Sequence, residues 1–420
     1  MGKERFKEIL NSELQRLDES NVSKRKENII EKFVSIDGRA KKAVVDNKEY
    51  ILFNSNDYLG FRFNEDIKKA EEKAIKKFGS GPGAVRFISG SLKIYKELEE
   101  ELAKFHNAES AITFSSSFAA NLAVIHCFIK GQTKSSLVGR EVLVISDELN
   151  HRSIIDGIRV SGLSKENKVI FKHLDYDHLN QILEKNKGKF SRVLIISDGI
   201  FSMLGEYADL KKIQELAKKY DQYYEEGILT IIDDAHGVGA FGETGKGCQE
   251  VCNTKPDLIV ATMGKAFGSD GGYVVGDKIY IDYLRESAAT YIYSNPTSPG
   301  TAAAALKALK ILQSEEGKRL LEKLKQNQKY FKEKMKYNGF RFAADSTHPI
   351  QPILIGDSKK TRELTNKLFE EGIIVTQISY PVVPLGKDEI RIQISAAHAK
   401  EDIDELIEKI VPIAKKLEII

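Results

Sequence analysis

The chain has 420 residues, 41% hydrophobic and 30% charged, an ordinary globular balance at a length that favours two lobes sharing one large core. Its 64 basic and 61 acidic residues nearly cancel to a net charge of +3, which leaves no basic face of the kind nucleic acid requires. Three cysteines, Cys127, Cys248 and Cys252, are too few and too odd for a disulfide framework, and no second Cys/His pair stands at ligand spacing to make a metal site.

The opening segment MGKERFKEILNSELQRLDES carries acidic residues and no apolar core, which argues against a signal or transit peptide. Phe6 to Leu17 shows apolar residues at helical spacing. Alternation over Lys42 to Phe53 predicts a hairpin, and a helix from Glu65 to Phe78 should stop at Gly79, before the loop GSGPG. Tyr95 to His106 reads as a helix with Leu98, Leu102 and Phe105 on one face. Short β-rich runs then recur at Ser110–Phe114, Glu141–Ser146, Lys168–Phe171, Arg192–Ser197, Ile228–Asp233 and Asp257–Thr262, with helical stretches such as Leu210 to Asp221 between several of them. That alternation predicts an α/β architecture, a mostly parallel central sheet with helices on both faces, and places ligands at the carboxyl ends of the strands. Beyond YIYSNPTSPG come a long helical region, Ala302 to Asn338, then strands near Ile350–Ile355, Ile373–Gln377 and Glu389–Ile394, and a last helix, Asp402 to Leu417. The expected division is an N-terminal helix and hairpin arm over 1–55, a large domain over 56–295 and a smaller α+β domain over 296–420. No apolar run approaches the length of a membrane span, so a cytoplasmic chain is expected.

Two segments carry the chemistry. In ILTIIDDAHGVGAFGETGKG a buried run ends in Asp233 and Asp234, followed by His236; alternation sends the two carboxylates to opposite faces, and one of them could simply cap a turn. In PDLIVATMGKAFGSDGG, Lys265 stands just past a buried strand ending at Thr262, where a lysine poised to condense with an aldehyde would sit. A pyridoxal 5'-phosphate (PLP) site needs such a lysine and an acidic partner for the pyridinium nitrogen, and Asp233 and Lys265 end successive strands. GVGAFG matches a dinucleotide fingerprint in form only, because it follows Asp-Asp-Ala-His, and GETGKG has the wrong spacing for a phosphate-binding P-loop. FSSSFAAN supplies a serine-capped helix start, which doubles as an anion site.

The segments SNDYLGF, GSGPGAVRFISGS, FSSSFAAN, ISDELNHRSIIDGIR, DGIFSMLGEYADL, DDAHGVGAFGETGKG, TMGKAFG and RIQISAAH, in that order and across nearly the whole chain, resemble the α-oxoamine synthase family. The resemblance implies the fold-type I architecture of PLP-dependent transferases and a homodimer with active sites at the subunit interface. It implies that Lys265 forms the Schiff base, Asp233 pairs with the pyridine nitrogen, His236 and Ser202 hold the ring hydroxyl, and His151 stacks on the ring. Ser117 and Phe118 would give backbone donors to the phosphate, Thr262 a hydroxyl, and Ser294 a contact across the dimer; Arg391 would hold the substrate carboxylate and Asn56 would contact substrate. The implied reaction is a Claisen-type condensation in which Lys265 removes the Cα proton of an amino acid and the resulting carbanion displaces CoA from an acyl-CoA.

Within the family, ISDELNHRSIIDGIR, DGIFSM and YPVVPLGKDEIRIQISAAH look closest to the glycine C-acetyltransferases, which use glycine and acetyl-CoA. The 8-amino-7-oxononanoate synthases, which join alanine to pimeloyl-CoA with loss of carbon dioxide, share most of these motifs. An aminotransferase or decarboxylase of the same fold is disfavoured by the Arg391 context and the DELNH segment, and a non-catalytic relative by the presence of Lys265. Tyr95 stands where the family usually has His, and Gly131–Gly139 resembles an inserted surface loop.

Overall fold

The computed structural model describes all residues except 1, 20–22, 26, 36–37, 134 and 381. Its centre is a seven-stranded sheet in the order Ser110–Phe114, Gly272–Gly276, Leu258–Thr262, Ile228–Asp233, Arg192–Asp198, Val142–Asp147, Lys168–Phe171. Six of these strands run in one direction, while Gly272–Gly276 is antiparallel to both neighbours. Strand alternation divides the apolar residues between two cores. Leu143, Ile145, Val193, Ile195 and Ile232 face one side, with the helices Glu65–Phe78, Lys93–Phe105, Leu210–Tyr220 and Pro299–Leu312. Val142, Val144, Leu194, Ile196 and Ile231 face the other, with Ser117–Lys130, Arg152–Val160 and Lys278–Ser287. Each fully buried Val, Leu or Ile adds roughly 1.5–3 kcal/mol, so this two-sided burial fixes which residues the strand ends can present.

The strand Gly272–Gly276 escapes a sequence reading because it opens on glycine, which weakens strands. Its reason is contact: a Cβ on Gly272 would lie 2.2 Å from the Ser117 nitrogen. The bare backbone lets the sheet lie directly against the start of the helix Ser117–Lys130.

The expected helix over Ala302 to Asn338 is two helices, Pro299–Leu312 and Glu315–Tyr337, because Ser314 turns outward and caps the second through the Glu316 N–H. The strand expected over Ile373–Gln377 likewise divides. Thr376–Ile378 joins an antiparallel sheet with Arg341–Phe342, Ile350–Leu354 and Glu389–Gln393. Ile373–Ile374 instead pairs in parallel with Lys48–Leu52 of the N-terminal hairpin, whose turn residues Asp46 and Asn47 take positive φ. The N-terminal helix Gly2–Glu19 buries none of its residues and leaves Phe6, Ile9 and Leu10 exposed. Among the described residues no helix is long and apolar enough to cross a membrane.

Candidate active site

Parallel strands end side by side, so their last residues form a row. Asp198 and Asp233 are in register across adjacent strands, and both are buried. Asp233 accepts from Asn121 Nδ2 at 2.6 Å and from the Ala235 N–H at 3.0 Å, which fixes its carboxylate at the strand mouth. Asn121 also donates to Ser153 Oγ at 2.9 Å, and Ser153 Oγ lies 2.7 Å from His151 Nδ1. One chain of contacts thus locks Asp233 and His151 together.

Asp234 points the other way, as alternation requires. It accepts from the Cys248 N–H at 2.7 Å. The loop Gly237 to Gly247 closes so tightly on it that a Cβ on Gly199, Gly237 or Gly247 would fall 2.0–2.4 Å from its carboxylate. Gly237, the first glycine of the run that imitates a nucleotide fingerprint, thus leaves no room for a side chain beside this buried acid. Burial raises Asp234 to about 6, against the Cys248 hydrogen bond. Of the two acids, Asp234 is the structural one.

Lys265, Asp233, His236, His151, Ser117 and Ser202 line one narrow cleft, with Asp198 in its wall. Burial lowers the Lys265 amine to about 8, although Asp233 and Asp198 pull it upward. Burial and the charge of Lys265 push His236 well below its ordinary value, so its ring is neutral, and Nδ1 lies 2.8 Å from the Tyr58 hydroxyl. Asp198 is raised by burial and by the neighbouring Asp233. A larger open groove of about 590 Å³, between Phe241 and the helix Glu315–Tyr337, holds none of these side chains.

One wall of the cleft is a helix start. Ser116 caps Ser117–Lys130 by accepting from the Ala119 N–H at 3.1 Å, which leaves the N–H groups of Ser117 and Phe118 with no carbonyl inside the helix. Phe118 is 39% exposed and its ring centroid lies 6.4 Å from that of His151; a phenyl ring has no hydrogen-bond donor, so any donor role falls to the backbone. Such a terminus suits a phosphate. Together with a buried carboxylate and a lysine of lowered pKa, it matches what PLP needs: an anion cradle, a partner for the ring nitrogen and a reactive amine.

Arg391 comes from the small antiparallel sheet, behind Tyr58, close enough for its charge to act on Lys265, His236 and Tyr58. It is 8% exposed, forms no ion pair among the described residues, and its Nε has no partner. Gln393, with its amide oxygen turned to the guanidinium, accepts from Nη1 at 3.1 Å, and the same amide meets Asn56. Asn56 in turn accepts from the Tyr58 hydroxyl at 3.2 Å.

Two expected residues stand apart. The Thr262 hydroxyl donates to the Gly271 carbonyl at 3.0 Å, so its proton is already committed within the loop. Ser294 lies in a separate small pocket with Arg86, Thr113 and Ser115, outside the Lys265 cleft of its own chain. Sequence reasoning passed over Asp198, Asn121 and Tyr58, although each stands inside a quoted motif, DGIFSM, FSSSFAAN and SNDYLGF. Tyr95, the departure from the family pattern, is buried and donates to the Thr297 carbonyl at 2.7 Å.

The sheet, the lysine and the carboxylate define a PLP-dependent enzyme of fold type I. The family model "Aminotransferase class I and II" matches residues 48–410. The 8-amino-7-oxononanoate synthase of Petrotoga mobilis is 44% identical over 376 residues, covering 89% of this chain and 90% of that protein. A serine palmitoyltransferase from S. paucimobilis, solved with a bound PLP–myriocin aldimine, superposes with a TM-score of 0.85 at 26% identity over 98% of both chains. The 8-amino-7-oxononanoate synthase of Francisella tularensis gives 0.71 at 27% identity, over 87% of this chain and 98% of that one. The chain belongs to the aminotransferase class I and II family and, within it, to the α-oxoamine synthases, PLP-dependent acyltransferases.

Proposed function

We propose that this chain joins alanine to pimeloyl-CoA, releasing CoA and carbon dioxide, in the manner of the 8-amino-7-oxononanoate synthases. The observation that carries the condensation itself is the convergence of Lys265 and Asp233 with Arg391, a buried cation that has no ion-pair partner among the described residues. The choice of substrates rests on the 44% identical relative of that name. This replaces glycine and acetyl-CoA as the leading expectation, since the motifs that favoured them are shared between the two branches.

Arg391 receives the carboxylate of the incoming amino acid by paired charge-assisted hydrogen bonds. PLP, when bound, supplies the aldehyde that captures the substrate amine and the ring that takes up the electron pair left at Cα. The remaining steps fall to the protein. Asp233, fixed by Asn121 and the Ala235 N–H, would pair with the ring nitrogen. Neutral His236, held by Tyr58, and Ser202 would hold the ring hydroxyl, and His151 would cover the ring. The Lys265 amine, lowered to about 8, is partly unprotonated near neutrality and so can take the Cα proton. The working unit we infer is a homodimer: Ser294 lies outside its own cleft, and Phe6, Ile9 and Leu10 of the Gly2–Glu19 helix are exposed in the single chain.

The deciding measurement is thiol release by the PLP-loaded protein with each substrate pair, and mass spectrometry of the product. Preference for alanine and pimeloyl-CoA, with loss of carbon dioxide, supports the proposal. Preference for glycine and acetyl-CoA, with the carboxylate retained, replaces it with the glycine C-acetyltransferase reading.

A further inference from the structure

The strand Glu389–Gln393 shows two unlike faces. Ile390 and Ile392 enter the core of the small sheet, while Glu389, Arg391 and Gln393 share the opposite face. Glu389 is 0% exposed, and neither of its carboxyl oxygens has a hydrogen-bond partner among the described residues. Its cross-strand neighbours are Leu354 and Ile378, which offer it no donor side chain. The charged group that acts on it is Arg391, two residues along the same face; Tyr58 is the further titratable group acting on that arginine. Yet the two residues form no ion pair, and the Arg391 Nε is itself unpartnered.

A buried carboxylate without a donor is strongly disfavoured, so this side chain is held in its neutral acid form. Burial raises Glu389 to about 8, against the pull of Arg391. An acid and a guanidinium thus lie side by side without pairing. Loss of one proton would give Arg391 an anionic partner within its own strand.

We propose that Glu389 is a positioning residue that competes, when it loses its proton, with the substrate carboxylate for Arg391. Protonated, it leaves the guanidinium free for the amino acid; ionised, it occupies the guanidinium and weakens substrate binding. The proposal rests on Arg391 as the carboxylate anchor of the condensation described above.

The test is calorimetric titration of the PLP-loaded protein with propionate, which has the carboxylate of alanine without its amine and so does not engage the amine chemistry of Lys265. Between pH 7 and pH 9 the dissociation constant should rise about tenfold, as expected for a competing group that titrates near 8. In Glu389→Gln the constant should stay level over the same range, and Glu389→Leu serves if the amide variant does not fold. Parallel pH profiles in the wild type and both variants would overturn the role of Glu389 while leaving the anchor intact. Propionate binding that is indifferent to Arg391→Ala at pH 7 would overturn the anchor, and the proposal with it.

Discussion

The large sheet and the small sheet wall off their polar residues on opposite plans. On the large-sheet side the acids that line the cleft have donors: Asp233 accepts from Asn121 and the Ala235 N–H, and Asp198 from the His151 N–H. On the small-sheet side Arg391 and Glu389 are buried with atoms left unpartnered. Leaving a buried charge unsatisfied costs several kcal/mol, so a fold tolerates it only where something else completes the pair. The satisfied wall suits a resident group held through every turnover. The unsatisfied wall suits a substrate that must arrive, pair and leave.

The largest effects should come from the fixed wall. Lys265→Ala should lower turnover by about 10⁴-fold or more, since it removes both the point of covalent attachment and the base. Circular dichroism should show an unchanged fold, and borohydride trapping should no longer attach the cofactor; retained turnover would end the assignment. The paired acids offer a sharper contrast. Asp233→Asn should cost on the order of 10²–10³-fold in kcat with little change in melting temperature. Asp234→Asn should lower stability by about 1–3 kcal/mol, because it weakens the acceptor that closes the Gly237 to Gly247 loop. If the two variants exchange these signatures, the roles of the two faces are reversed.

Much of the fixed wall was legible in the sequence, and the reasons are physical. A parallel strand buried on both faces is a run of Val, Leu and Ile, so Ile228–Asp233 is bounded to the residue. A polar residue at the end of such a run has few reasons to be there other than chemistry, which drew attention to Asp233 and Lys265. The strand Gly272–Gly276 was not legible, because its glycine answers to a neighbour far away in the chain, Ser117. Nor was the division of labour between Asp233 and Asp234, which depends on Cys248 and Asn121 arriving from other elements. The other wall was legible only as a motif: RIQISAAH marks Arg391, but pattern alone cannot show that it lacks an ion pair or that Glu389 beside it lacks donors.

A smaller effect is expected at the open wall. Arg391→Ala should raise KM for the amino acid about 10–150-fold, the worth of charge-assisted hydrogen bonds to one carboxylate, while KM for the acyl-CoA changes much less. Arg391→Lys should recover only part of this, since an ammonium cannot make the bidentate pair. Equal rises in both constants would mean that Arg391 shapes the cleft rather than anchoring one substrate.

The smallest prediction tests how the fixed wall is braced. Ser202 sits in the turn from Gly199 to Ala208, closed by Phe201 N–H donating to the Glu206 carbonyl at 2.9 Å. His173 links that turn to the sheet: its Nδ1 is 3.0 Å from Asp147 and its Nε2 is 3.1 Å from Glu206, with the ring edge-on to Phe201. Burial alone would lower this histidine, but the two carboxylates outweigh it and raise it to about 9 from an ordinary 6.5. The folded state therefore holds the proton more tightly than the unfolded chain. The resulting stability is fully present below about 6.5 and is lost as pH rises through about 9. The rise sets a ceiling of about 3 kcal/mol, and screening at the partly exposed Glu206 brings the expected value to about 1–2 kcal/mol. His173→Gln should thus melt well below the wild type at pH 6 and together with it at pH 10. A melting gap that stays constant across that range would mean that the ring braces the turn by packing on Phe201 rather than by its charge.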